Sequence, residues 1–372
     1  MKYCKKCLQP DTRPNIKFNE DGVCPACDYS TVVKTVDWDE RRKDLESIVT
    51  FGKSNSSSGY DCIIGVSGGK DSIRQAVFVK EVLKIKPLLV SLNYPPEQMT
   101  NRGAENISNM ISLGFDTITI GPSPQKWKKL MREGFFKYGN WGRSSELSLF
   151  SSVPRLAVAY QIPLILWGEN PALTLGELGT QSNGYEGNNS KNGNTINGGK
   201  FDWLLIDGIE KKHILQYLYP SDEDMVKANL RIIYLGYFMN NWTKLDNGIW
   251  AGLHGLQIRK ENPIETGDLN GVDSLDEDWV SLNQMIKYYK FGFGKATEIV
   301  NEEMRYRNLA RDKAIELVKL YDGACSNESI LSFCSFIDIT IEKFWEVVDS
   351  YVNKDLFEKD TNGKWVRKFD II

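Results

Sequence analysis

Residues 60–72 read YDCIIGVSGGKDS. Cys62, Ile63, Ile64 and Val66 make a short apolar run of the kind that is buried in a sheet. Ser67-Gly68-Gly69-Lys70-Asp71-Ser72 follows as a glycine turn and opens a stretch, 73–84, with helical spacing. Two glycines let the backbone fold tightly and bring its N–H groups close to a ligand. The start of the helix adds unpaired donors and a partial positive charge. Ser67 and Ser72 contribute hydroxyls and Lys70 a cation. Such a strand–turn–helix unit is an anion cradle, most often for phosphate. It is not the mononucleotide P-loop, which needs a glycine five residues before the Gly-Lys pair and Ser or Thr after the lysine. Ile64 and Asp71 hold those two positions.

SGGKDS instead resembles the pyrophosphate loop of the ATP-pyrophosphatase superfamily. The resemblance implies that Ser67, Gly68, Gly69, Lys70, Asp71 and Ser72 hold the β- and γ-phosphates of ATP. A substrate oxygen then attacks the α-phosphate, giving an adenylated substrate and pyrophosphate. The competing reading is a glycine-rich turn with no ligand.

The 372 residues are 41% hydrophobic and 26% charged, which is ordinary for a globular chain long enough for one large or two to three smaller units. A net charge of −3 gives no global attraction to nucleic acid or to an anionic membrane. No apolar run approaches the ~20 residues of a membrane span. The start, MKYCKKCLQPD, has no apolar core of a signal peptide, so a cytoplasmic location is expected. Seven cysteines in such a setting point to metal or free thiols rather than disulfides. No internal repeat is evident.

Cys4/Cys7 and Cys24/Cys27 are two C-x2-C pairs separated by sixteen residues. Each pair makes a tight knuckle, and four thiolates close a tetrahedral zinc shell. The spacing lies in the zinc-ribbon window, so a structural zinc on Cys4, Cys7, Cys24 and Cys27 is expected. An iron–sulfur cluster, a redox dithiol, or four unrelated thiols are the alternatives.

Residues 36–49, with Trp38, Leu45 and Ile48, read as an amphipathic linker helix. Residues 51–59 are rich in Ser and Gly and read as a flexible joint. Apolar runs at 87–93, 116–120, 162–167 and 230–235 alternate with helical patterns at 99–113, 124–136 and 150–160. That alternation predicts βαβ units and a doubly wound parallel α/β sheet, whose ligands sit beyond the carboxyl ends of the strands. Three points end there: the SGGKDS loop, Asn93-Tyr94 and Gly168-Glu169-Asn170. Glu169 and Asn170 suit magnesium binding, substrate orientation, or a helix cap. Asn93 is a candidate nucleotide contact, and Glu177 a weaker candidate for substrate. Residues 181–199 are dense in Asn and Gly, which predicts a mobile loop, either a lid or a tolerated insertion.

Beyond Trp242 helical spacing takes over, at 278–289, 296–307, 309–320, 328–336 and 341–352. Lys287, Lys290 and Arg305 in this region suit substrate phosphates or a carboxylate, or else a solvated basic face. The expected units are a ribbon (1–35), a linker (36–59), an α/β nucleotide-binding domain (60–240) and a helical C-terminal region (241–372).

The ribbon, Gly168-Glu169-Asn170, and residues 287–295 (KYYKFGFGK) with Tyr321-Asp322-Gly323 narrow the resemblance. Together, over nearly the whole chain, they are similar to the N-acetyl-sugar amidotransferases of bacterial surface-glycan synthesis. That family turns an acetamido group on a sugar into an acetamidino group. Its substrates include nucleotide-linked diacetamido uronic acids of O-antigen and pseudaminic-type acids. The resemblance implies ATP and Mg²⁺, with Lys70, Asp71, Glu169 and Asn170 as catalytic residues. It also implies ammonia from a partner glutaminase with a cyclase-like subunit. The residues agree on that last point. A glutaminase needs a cysteine with a histidine base. The chain has two histidines, and Cys62, Cys325 and Cys334 lie in unsuitable contexts. Two rival readings are a tRNA-modifying enzyme using the same loop and a zinc-ribbon scaffold with a relic loop. The acidic balance opposes the first and the intact loop opposes the second.

Overall fold

The structure is a computed structural model that describes residues 1–176, 185–192 and 196–372. The first 24 residues form two hairpin knuckles, closed by bonds such as Cys4 N–H to the Gln9 carbonyl (2.9 Å) and Asn19 N–H to that of Val23 (3.0 Å). Cys24 then precedes helix α1 (Pro25–Val32), with proline at its first position, where no N–H is needed. Helix α2 (Trp38–Asn55) starts at Asp37, whose carboxylate accepts from the N–H groups of Asp39 and Glu40. The flexible joint expected at 51–59 is corrected here. The helix runs on to Asn55, because Phe51 continues the Leu45/Ile48 stripe and is buried with it against the sheet.

Five parallel strands follow: β1 (Cys62–Val66), β2 (Pro87–Leu92), β3 (Thr117–Ile120), β4 (Leu164–Trp167) and β5 (Arg231–Tyr234), in the order β3-β2-β1-β4-β5. Ile64 pairs with Leu89 of β2 on one side and with Leu166 of β4 on the other. Between the strands run α3 (Lys70–Val77), α4 (Asn101–Ser112), α5 (Pro124–Tyr138), α6 (Gly142–Tyr160), the short α7 (Pro171–Leu175) and α8 (Asp222–Lys227). Side chains alternate across a strand, so the two faces divide cleanly. Ile64, Leu89, Leu166 and Ile233 pack against α2, α3 and α4, whereas Ile63, Val90, Ile165 and Ile232 pack against α6 and α8. Strand order reverses direction between β1 and β4, which opens a crevice at their carboxyl ends.

The described parts of 181–199 correct the expectation of a loop with nothing to bury. Gly187 N–H donates to the Ile232 carbonyl (2.7 Å), Tyr234 N–H to that of Tyr185 (2.9 Å), and Ile196 is buried. Tyr185 and Ile196 supply the apolar area, and the outer edge of β5 supplies unpaired backbone groups.

After β5 come α9 (Lys244–Gly252) and a single turn, α10 (Pro263–Thr266). Then follow α11 (Val280–Phe291), α12 (Lys295–Tyr306), α13 (Arg311–Tyr321), α14 (Asn327–Phe336) and α15 (Ile341–Tyr351), and a hairpin of β6 (Phe357–Lys359) and β7 (Trp365–Arg367). Helix α9 packs along α3. Trp279, Phe333 and Phe344 share one aromatic core with Phe135 and Trp141 of the α5–α6 region. The ribbon docks on the same helical region: Leu8 N–H donates to Asn301 Oδ1 (2.7 Å), and the Arg311 guanidinium donates to the carbonyls of Cys4 and Cys7. Among the described residues no helix is long and apolar enough to cross a membrane.

Candidate active site

The SGGKDS turn sits where β1 ends. Gly68 has φ +79°, and a Cβ there would meet Asn106 Cβ at 3.1 Å, so backbone angle and close packing both require glycine. Ser72 does not point outward: its Oγ accepts from the Ser67 N–H (3.0 Å) and closes the turn. A pocket lies against it, lined by Val66, Ser67 and Asp71, by Leu92 from β2, by Phe150 from α6, and by Gly168 and Glu169 from the end of β4. This is the crevice that the strand order opens.

Lys70 is the first residue of α3 and is buried. Its Nζ donates to Asp273 Oδ1 (2.5 Å) and to Asp71 Oδ2 (2.9 Å). Asp273 also takes Lys244 Nζ (2.6 Å), and Lys295 Nζ lies 3.3 Å away. Lys244 is the first residue of α9 and Lys295 the first of α12. Three helix N-termini, each led by a lysine, therefore converge on one buried carboxylate. Helix starts and ammonium groups are both sources of positive potential, an arrangement that suits negative charge. Burial works against the charge on Asp273, but Lys244, Lys295 and Lys70 outweigh it and hold the acid well below the usual range. Burial likewise opposes the charge on Lys70, and Asp273 and Asp71 more than reverse it. Asp71 is aimed by Asn247 of α9, whose Nδ2 donates to Oδ1 (2.5 Å). Asn247 is in turn held by Arg74, which also donates to Asn241.

Glu169 lies across the pocket. Solvent reaches it through the mouth, yet surrounding protein strips away enough water to push its acid up to about 7, with Asp71 adding to the shift. Asn170 is engaged as a cap: Oδ1 accepts from the Leu173 N–H (3.3 Å) and Nδ2 donates to the Gly236 carbonyl (2.9 Å). Its side chain thereby steers the turn that presents Glu169. Asn93 is exposed at the end of β2. Lys287 pairs with Glu298 (3.1 Å), and Arg305 lines a cleft with Arg13, Lys244 and Glu298. Lys290 points elsewhere, donating to the Tyr138 carbonyl (2.9 Å). Glu177 lies outside the described residues. Sequence reasoning missed Asp273, Lys244 and Asn247, and took Lys295 only as part of a basic stretch. The one local signal was a lysine at each helix start.

The four ribbon cysteines are buried, and their Sγ atoms lie within 4.8 Å of one another, Cys7 and Cys24 at 3.7 Å. Tetrahedral zinc with ~2.3 Å bonds needs sulfurs about 3.8 Å apart, so the donor set fits one ion. The Cys24 N–H points at Cys4 Sγ (3.2 Å), a contact that steadies thiolate charge. Arg305 is the nearby cation, favoured in its charged form by Cys7 and Cys27 despite burial.

Sheet, loop and ribbon together define a doubly wound parallel α/β protein with a glycine turn at the carboxyl end of β1, a four-cysteine cluster that could hold a metal ion, and a helical C-terminal region. Residues 273–370 match the family model of the LPS biosynthesis protein WbpG-like, C-terminal domain. An uncharacterized protein of Methanocaldococcus jannaschii, MJ1599, is 28% identical over 109 residues; the match spans 29% of this chain and 38% of that protein. Similar solved structures include the NH3-dependent NAD synthetase of Campylobacter jejuni, in complex with nitrate. It has a TM-score of 0.29 and 18% identity, covering 59% of this chain and 84% of that one. Another is the U34-tRNA thiolase NcsA of Methanococcus maripaludis with its [4Fe-4S] cluster, with a TM-score of 0.23 and 12% identity, covering 51% and 72%.

Proposed function

We propose that this protein is the synthetase subunit of an ATP-dependent, AMP-forming amidotransferase in surface-glycan synthesis. It acts on an N-acetylated, nucleotide-linked sugar and leaves an acetamidino group. The observation that carries this reading is the convergence of Lys70, Lys244 and Lys295 on Asp273 beside a glycine-turn cradle. Such a cluster suits a departing pyrophosphate, whose charge must be neutralised as it leaves. The C-terminal match to an LPS biosynthesis domain supports the substrate class.

An amide carbon is a poor electrophile, and its oxygen a poor leaving group. Attack of the acetamido oxygen on the α-phosphorus of ATP breaks the bond to pyrophosphate and forms an O-adenylyl imidate. Ammonia then adds at carbon and AMP departs. The Ser67–Gly69 backbone and Lys70 hold the phosphates, and the pocket wall from Leu92 to Phe150 excludes water. Asp71 and Glu169 are the carboxylates that would hold Mg²⁺, which supplies charge neutralisation on phosphate oxygens when bound. Lys287 and Arg305 are retained as candidate contacts for the sugar's anionic groups. Zinc is the ion proposed for the ribbon.

Ammonia is proposed to come from a partner glutaminase. The histidine rings are used locally: His213 Nδ1 accepts from the Glu210 N–H, and His254 stacks on Trp250. Burial raises the Cys325 and Cys334 thiols to about 11, away from nucleophilic thiolate. The test is to incubate the protein with ATP, Mg²⁺, ammonium and a panel of acetamido sugars. AMP and pyrophosphate formed only with the right sugar, with the small mass loss of O replaced by NH, is the expected result. ATP consumption that depends on tRNA and not on any sugar would overturn it.

A further inference from the structure

Residues 272–279 read VDSLDEDW and thread past the carboxyl end of the sheet. Asp273 gathers the three lysines. Asp278 accepts from Arg102 (3.0 Å) and Arg259 (2.8 Å). Glu277, between them, is treated differently. It is 2% exposed, and neither carboxylate oxygen has a hydrogen-bond partner among the described residues. The Trp279 N–H lies close enough to favour its charge but makes no hydrogen bond to it. Two buried acceptors without a donor are costly, and natural proteins keep them for a reason. Burial first, then Asp276 and Asp278, push this acid well above the carboxylate range, with Arg259 opposing. Tyr94 faces Asp276 and completes the group.

The group stands beside the cradle. Tyr94 follows β2, whose Leu92 lines the nucleotide pocket. Asp276 passes so close to α4 that a Cβ on Gly103 would sit 2.6 Å from its Cα, and one helical turn further Asn106 packs under Gly68. On the other side, Met99 pairs with Glu277 through a backbone bridge. Met99, Asp278 and Trp279 line a cleft of about 550 Å³ in which Glu97, Glu105, Glu261 and Asp278 outnumber Arg102 and Lys260. An acidic mouth concentrates small cations.

We propose that Glu277, with Asp276 and Tyr94, is the site that receives the nitrogen nucleophile as ammonium for the amidation, an inference that rests on the function proposed above. Ammonium is small, carries four donors and needs oxygen acceptors. A carboxylate whose proton affinity is raised by burial is matched to taking a proton from it. Ammonium gives one proton to the Glu277 carboxylate and becomes ammonia. The nitrogen lone pair forms the C–N bond to the imidate carbon. The bond from that carbon to the AMP oxygen breaks, and its electron pair leaves with AMP. The amidinium product keeps the three ammonia protons, and Glu277 returns its own to solvent.

The experiment compares the full chain with Glu277→Gln. The variant is expected to raise the KM for ammonium at least ~10-fold, as losing a charged hydrogen-bond acceptor does, with a much smaller change in the KM for ATP. A wild-type KM for ammonium would overturn the site. Two further measurements separate this inference from the reading beneath it. Sugar-dependent exchange of labelled pyrophosphate into ATP reports adenylation alone, and its absence in wild-type protein counts against the proposed function, not the site. The melting temperature of wild-type protein in ammonium chloride should exceed that in sodium chloride of equal ionic strength, because a bound cation stabilises by mass action. Equal melting temperatures would overturn the site. Should Glu277→Gln not fold, Tyr94→Phe takes its place, with the same rise in ammonium KM expected and an unchanged value overturning the site.

Discussion

Lys70 Nζ lies 2.5 Å from Oδ1 of Asp273, a residue 203 positions further along the chain, and both side chains are almost wholly buried. The pair ties the glycine turn after β1 to the first residue matched by the LPS biosynthesis domain model. Asp273→Asn removes the carboxylate that Lys70, Lys244 and Lys295 share and leaves Lys70 with Asp71 alone. Removing one member of a buried ion pair typically costs ~3–5 kcal/mol. Urea denaturation should show a loss of that order, together with loss of ATP turnover. A variant as stable as wild type would mean that the lysines are neutralised some other way.

Lys70→Ala and Asp71→Asn are each expected to lower the rate of pyrophosphate release by ~10²–10³, the usual effect of removing one preorganised group from a developing charge. The fold should persist in Asp71→Asn, since Asn247 can still bond the new amide. Steady-state kinetics with circular dichroism as a folding control checks this, and turnover near wild type in either variant would remove the loop from the mechanism.

Glu169 carries a pH signature. Its acid is raised to about 7, so the carboxylate proposed to hold Mg²⁺ is lost as pH falls through that value. Activity should decline below pH 7 along a single-proton limb, and Glu169→Gln should remove most activity at every pH. Stability runs the opposite way. A raised folded-state value means that ionisation costs stability as pH rises from the ordinary glutamate range through about 7. Urea midpoints should therefore favour Glu169→Gln over wild type more at pH 8 than at pH 4. An equal difference at both would show an unperturbed carboxylate.

The ribbon should bind one metal ion per chain. Elemental analysis of protein purified without added metal is expected to find zinc, and a visible iron–sulfur absorbance would refute that choice. Chelation should release the ribbon from α12, because the Leu8–Asn301 bond and the Arg311 contacts depend on the knuckles being closed. Amide exchange at Leu8 reports it.

Much of this protein was legible in the sequence because the relevant physics is short-range. The strand, the glycine turn and the helix start lie within a dozen residues, and tight backbone turning needs only local glycine. The C-x2-C spacing marks a candidate metal knuckle within four residues. Strand and helix periodicity marks the buried faces of Ile63 and Ile64 without knowledge of their partners. Where local composition misled, at 51–59 and at 185–188, a neighbouring surface supplied burial that the residues did not advertise.

Tertiary structure alone decided how the charges are arranged. Lys70, Lys244 and Lys295 look like unrelated surface lysines until three helix starts are brought to one point, and Asp273 is then the carboxylate that makes their burial tolerable. Asp273, Glu277 and Asp278 sit within six residues of one acidic run, yet one gathers lysines, one has carboxylate oxygens with no hydrogen-bond partner among the described residues, and one pairs with two arginines. Coulomb energy and desolvation depend on distance and burial in three dimensions, and a linear sequence carries neither.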